Sequence, residues 1–560
     1  MMKKAVLIVV VAFVAFAANA QEEMAEKFKK EIDHSFNYTA KNDEDGYCYA
    51  SSEKEITVLD TQTGEIKWNK KYSAISPELG KVDEIIPLWD AKAIFVFDRK
   101  MGKDKMACID VFTGKLLWIS SKYQNVEEEN IVYIKELDAF AVTTKENLTM
   151  VKARTGDELW KTDKFKGIVG YYIYKSDDGS LTMINMKATA IGSLFAGMKN
   201  QIVKINTKNG DVIWDQTYRG VVEKKILTKE RLVKMNIEED KVFLYMNGIQ
   251  VFDYKDGKPL WAAVYDQTPS DVVKNKKPSG ATKFGAYGVV AEPVVVGDYI
   301  YVLDLVNKKN QFLKKYALKT GKMVWQSAEI KDARAIPGIY VNGDKVVLQV
   351  GGQVELQYET RTRQTDGSFV TERTIEMENV KPLNVQAFNA ITGEQLWESE
   401  KMKKGLTNMF LSDNNVIVCS GKALYSMDIT TGKENYEKQL KDDNIGEADM
   451  IIDYKDQVVI LGEKGVSKHN KNDGTLTAGS KFKRSTPITY NGQYIYGDRT
   501  MALATKNSDI AVYDVSTCKY KSFDARKGAT TYMSNDGLNV YVFESGGLIK
   551  KSKFTKLSAQ

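Results

Sequence analysis

Two histidines, four cysteines and nine prolines among 560 residues are a sparse supply, and each scarcity excludes something. His34 and His469 sit in no His-Glu-x-x-His pattern, and neither Gly-x-Ser-x-Gly nor a phosphate-cradling Gly-rich loop occurs. Thr-Gly-Lys at 113–115, 320–322 and 431–433 lacks the upstream glycine of a phosphate loop. Acidic stretches at 42–46 and 470–474 miss the spacing of a calcium loop and its closing glutamate. The sequence therefore assigns no catalytic residue, no metal ligands and no cofactor. Cys48, Cys108, Cys419 and Cys518 are far apart. They leave room for one or two disulfides in an exported chain, but Cys108 and Cys419 stand in apolar, strand-like runs that suit small core residues. The net charge of +6 on so long a chain is no nucleic-acid footprint.

Long apolar runs are also missing, with one exception at the start. Lys3 and Lys4 precede an apolar run of 14 residues, Ala5 to Ala18, and Ala18-Asn19-Ala20 supplies a small-x-small cleavage signal. Residues 1–20 read as a signal peptide cleaved near Ala20, which predicts a periplasmic or secreted protein with no transmembrane segment in the mature chain. No cysteine stands at the cleavage point to take a lipid. Residues 21–45 read as a short amphipathic helix and linker, because Met24, Phe28 and Ile32 fall at i, i+4 and i+8 among Glu and Lys.

What the chain has in abundance is repetition. Asp60-Thr-Gln-Thr-Gly64-Glu-Ile-Lys-Trp68 returns at 110–118, 152–160, 206–214, 253–261, 317–325 and 389–397. Trp68, Trp118, Trp160, Trp214, Trp261, Trp325 and Trp397 all stand four residues after a glycine. Weaker copies open at Asp428, Asn470 and Asp514, giving ten sites about every 50 residues, a propeller or solenoid period. The opening Asp or Asn can bond amides within a turn, and the glycine suits the positive φ of a hairpin bulge. An apolar residue beside most tryptophans, such as Leu159 or Ile213, predicts a strand covered on both faces. Intervening apolar strands bring each unit to four, so the fold class is all-β, a β-propeller of four-stranded blades.

The Asp-x-x-Thr-Gly-x-x-x-Trp repeat resembles the tryptophan-docking motif of the pyrroloquinoline-quinone-like β-propellers. That family includes quinone-dependent alcohol dehydrogenases and BamB-like outer-membrane assembly factors. The resemblance implies eight blades against the ten counted by motif, a propeller over 46–560, and a structural blade-docking role for the seven tryptophans. The strands around 539–549 are expected to complete the blade begun at 46–72. The family's dehydrogenases carry an adjacent cysteine pair, which has no counterpart here. None of their site residues is carried over.

Function is then sought where the repeat is interrupted, at insertions 186–198, 266–285 and 353–380. Ile191 and Phe195 make the first unusually apolar for a surface loop. Lys274, Lys276 and Lys277 make the second a basic loop. The third reads as a two-stranded arm bearing Tyr358, Arg361 and Arg363. Together they predict a non-catalytic scaffold that binds an envelope protein partner through these residues. The alternatives are a small-molecule or saccharide binder and, further off, a quinone dehydrogenase.

Overall fold

The repeat folds as its turn chemistry dictates. In the computed structural model, the Asp60 carboxylate accepts from the backbone N–H groups of Gln62 and Thr63 at 2.7 and 2.9 Å. The Gly64 N–H closes the loop onto the Asp60 carbonyl at 2.9 Å, with φ of +73°. At Gly114, Gly156, Gly210, Gly257, Gly321, Gly393, Gly432 and Gly474, φ lies between 62° and 79°, and the register shifts by one residue beside the turn. In blade 10 Cys518 takes the glycine's place at φ +56°.

The structure describes residues 22–559 except 101–102, 125, 127–130, 144–146, 166, 187–199, 219–233, 247, 264–280, 288, 307–309, 364–368, 442, 482–486, 499–508 and 547–550. These residues form eleven sheets, not the eight to ten expected. Blades 1 to 10 occupy 38–71, 84–120, 131–162, 168–217, 234–263, 294–326, 338–398, 406–439, 448–481 and 487–524. Blade 11 unites strands Thr530–Met533, Asn539–Glu544 and Ser552–Ser558 with Ala25–Ile32 from the other end of the chain. Eleven apolar clusters, each shared by two successive blades, close the circle; the last joins Tyr541, Phe543 and Phe554 to Cys48, Ala50 and Leu59 of blade 1. First strands of neighbouring blades approach one another, so they are innermost and the tryptophan strands outermost.

Three sequence expectations are corrected. The amphipathic helix is instead a strand, Ala25–Ile32, paired antiparallel to Ser552–Ser558. Apolar residues four apart share a face at period two as well as at period 3.6, so the spacing alone could not choose. The terminal strands do not complete the 46–72 blade, because Tyr38–Asn42 already supplies its first strand. Termini meet one blade earlier than expected. Finally, the outermost strands have one solvent-facing side: Leu159, Ile213, Leu260, Val324 and Leu396 are 43–48% exposed, because radial sheets diverge towards the rim. The four cysteines are buried free thiols, with burial pushing their pKa up. Among the described residues no helix is long and apolar enough to cross a membrane.

Candidate functional site

Each tryptophan projects from the outermost strand of one blade onto the turn of the next. Six indole N–H groups donate to backbone carbonyls there: Trp68 to Val111, Trp118 to Ala153, Trp160 to Thr207, Trp214 to Tyr254, Trp325 to Ala390 and Trp397 to Ile429, at 2.7–3.1 Å. Trp261 is partly buried at its junction, but its N–H has no hydrogen-bond partner. The rings lie flat over the turn glycines, and a Cβ on Gly210 would stand 2.6 Å from the Trp160 ring. Glycine is thus required twice, by its φ and by this approach. Burying each indole contributes about 4–6 kcal/mol of transfer free energy.

Beyond blade 8 the same contact is made with other chemistry. Tyr436 donates its hydroxyl to the Lys471 carbonyl at 2.9 Å. At the next junction Ala478 holds the tryptophan position, and the buried Lys468 ammonium donates to the Ser516 carbonyl. Between blades 10 and 11, Glu22–Glu23 adds to the outer edge of blade 10 and Met24 enters the shared cluster. Phe28 then lies over Gly64 as a tryptophan would, and Lys556 reaches Gln62 at 3.0 Å. Nearer the axis, Tyr38 donates to the Asp83 carbonyl, Tyr172 to Tyr133 and Tyr532 to Thr39, at 2.7–2.8 Å. Sequence reasoning missed this inner set; tyrosine early in the first strand of several blades was the available signal.

One buried polar cluster has the ingredients of a catalytic triad. His469 Nε2 lies 2.9 Å from Asp443 Oδ2 and 3.0 Å from Ser467 Oγ, while Nδ1 donates to the Gly474 carbonyl at 3.0 Å. A triad needs serine and carboxylate on opposite ring nitrogens, whereas here both crowd one. All three side chains are buried between blades 8 and 9, so the cluster has no access to substrate. His469 takes a position that is apolar in every other motif copy, such as Ile109, Ile205 and Met427. Among the described residues no group of three His, Cys, Asp or Glu side chains could hold a metal ion. The thiols sit singly, on blades 1, 2, 8 and 10, so the vicinal pair of a quinone enzyme does not form.

Because strands alternate direction, the first-to-second and third-to-fourth connections lie at one end of the ring. Second-to-third connections and blade-to-blade linkers lie at the other. The motif turns occupy the first end. All three insertions attach at the second. Segment 187–199, with Ile191 and Phe195, joins the second and third strands of blade 4 and lies outside the described residues. The basic stretch 264–280 also lies outside them, but it leads into strand Ala281–Tyr287. That strand pairs with the arm, formed by the long blade-7 strands Lys345–Arg363 and Phe369–Asn389. The arm is therefore three-stranded.

Tyr358 is 2% exposed, not displayed, and packs with Val354, Leu356, Val289, Leu305 and Ala335. Burial, helped by Glu376 and Glu378, pushes its hydroxyl pKa up. It anchors the arm rather than offering a contact. Arg361 and Arg363 belong to the long strand, but their side chains lie outside the described residues.

A family model described as "Outer membrane protein assembly factor BamB" matches residues 52–167, 144–285 and 383–532, more than half of the chain. The chain belongs to the BamB propeller family. BamB from Moraxella catarrhalis is similar at 14% identity, over 71% of this chain and 96% of that one, with a TM-score of 0.27. The computationally designed protein Ika8 is similar at 12% identity, over 72% and 96%, with a TM-score of 0.27. A eukaryotic initiation factor is similar at 11% identity, over 77% and 96%, with a TM-score of 0.36. No curated protein sequence matches. The BamB-family match stops at 285 and resumes at 383, so blade 6 and the arm's long hairpin over 353–380 are left unmatched.

Proposed function

We propose that this BamB-family chain is exported, loses its leader near Ala20, and serves without catalysis as a protein-binding scaffold in the cell envelope. The loop end of the ring is its working face. The observation that carries this reading is the placement of every large departure from the repeat at that one end, including a three-stranded arm fixed by its own apolar cluster. The leader supports export, and the family supports a protein partner. The test is site-directed photo-crosslinking in intact envelopes. A crosslinker at exposed Glu376 should give one discrete adduct with an envelope protein, while one at Thr63 on the turn end should give none. Equal labelling from both ends, or none from either, contradicts the proposal. Mass spectrometry should find Gln21 as the mature N-terminus.

A saccharide-binding reading draws on Tyr171 and Tyr490, which expose 40% and 39% of their surface on innermost strands. It predicts a melting-temperature rise with oligosaccharides that Tyr171→Ala abolishes.

A further inference from the structure

We propose that the outer edge of the arm, Phe369–Asn379, is a preformed receptor for one added β-strand, taking an extended partner segment with basic residues at alternate positions. This rests on the protein-binding reading and names its mode. The arm strand pairs on one side with Lys345–Arg363, from Arg363 opposite Phe369 to Gly352 opposite Val380. On its other side the neighbouring strand Gln395–Glu398 reaches only Gln386–Phe388. Phe369–Asn379 therefore presents about 35 Å of backbone edge with no strand beside it among the described residues.

Other edges in the molecule are shorter or covered. The outermost strands of blades 1 to 10 run only 4–6 residues and that of blade 11, Ala25–Ile32, runs 8, and a short edge is a poor template. The outer edge of blade 10 receives Glu22–Glu23. The arm's opposite edge is occupied by Ala281–Tyr287, a strand delivered from the linker after blade 5. Ala281–Tyr287 is then the arm's edge strand on that side, with seven residues, and Phe369–Asn379 is the longer of the arm's two edges.

Rigidity and charge complete the argument. Val354, Leu356 and Tyr358 are at most 2% exposed against Val289, Leu305 and Ala335, so the edge is held in place before any partner arrives. Strand addition would supply affinity through main-chain hydrogen bonds and specificity through alternate side chains. Glu376 and Glu378 stand opposite Leu356 and Val354, two residues apart on one face of the edge strand. An incoming strand sets its own alternate residues beside them, and lysine or arginine there complements the acids.

The experiment uses the full mature chain and the peptide acetyl-Lys-Val-Lys-Val-Lys-Val-Lys-amide. Hydrogen exchange should slow within 369–379 on peptide addition and stay unchanged along the blade edges. Methylating alternate peptide nitrogens should weaken binding about tenfold, as should replacing each lysine by glutamate. Glu376→Gln, which keeps an acceptor for Tyr358, should lower affinity about twofold with an unchanged melting temperature. Absence of protection at 369–379, or equal binding by the N-methylated peptide, overturns strand addition. Either result alongside a retained Glu376 crosslink refutes this mode and leaves the scaffold reading standing.

Discussion

Seven of the eleven junctions, from blade 1 round to blade 8, share one device, an indole laid over a glycine turn. The four junctions from blade 8 back to blade 1 use a tyrosine, a buried lysine, an inserted N-terminal methionine and a phenylalanine. Three of the four meet the same geometry, an outermost strand against the next blade's turn, whereas blade 11 offers blade 10 no such turn because its third and fourth strands come from opposite ends of the chain. The seam shows that the ring requires a flat or long side chain at that point, not tryptophan as such. It also places the chain's two ends where the uniform device stops.

The largest effect should come from opening the seam. Deleting residues 22–32 removes a strand of blade 11, the strand capping blade 10 and the Phe28 contact together. Hydrogen exchange should show blades 10, 11 and 1 losing protection while blades 3–7 keep theirs. Uniform loss would mean that the seam is no weaker than the rest. Within the tryptophan arc, Trp160→Ala should cost about 3–5 kcal/mol in denaturant unfolding, the range for deleting a large buried aromatic.

His469→Leu strips buried Ser467 and the Gly474 carbonyl of their imidazole partner and sets leucine against buried Asp443, and should cost about 1–3 kcal/mol. Adding Asp443→Leu should recover part of that loss, since it removes the buried carboxylate that would otherwise face leucine. A double variant no more stable than the single one would show that the polar pair itself holds blades 8 and 9. The smallest effect separates two tryptophans. Trp160→Phe should cost about 1 kcal/mol more than Trp261→Phe, because only Trp160 donates a hydrogen bond.

The same contrast explains what could be read from sequence. The arc from Trp68 to Trp397 was legible because six of its seven indoles donate to a backbone carbonyl, so each repeat needs to carry only the donor. The seam was not. Lys556 meets blade 1 across nearly the whole chain length, Phe28 is brought there by pairing with that same C-terminal strand, and nothing local in either segment signals the meeting. Ala25–Ile32 looked helical because its apolar spacing fits two periods, and the partner strand that decides between them is at the other terminus. Blade 11 escaped the motif count because it has no Asp-x-x-Thr-Gly turn of its own. At the loop end, the arm's hairpin was visible as alternation. Its third strand was not, since Ala281–Tyr287 arrives from another blade's linker. Tyr358 looked like a contact residue for the same reason: what buries it comes from blade 6 and its linkers.

The most direct test of a single closed ring is a seam crosslink. Cysteines placed at Gln62 and Lys556, whose long side chains meet at their tips, in a chain whose four native cysteines are replaced by serine or alanine, should be joined by a short bismaleimide and raise the melting temperature. The crosslinked chain should run as a monomer with blade 1 tied to blade 11. A pair that joins only between molecules, or not at all, would contradict the eleven-blade circle and favour a smaller ring with the remaining sheets outside it.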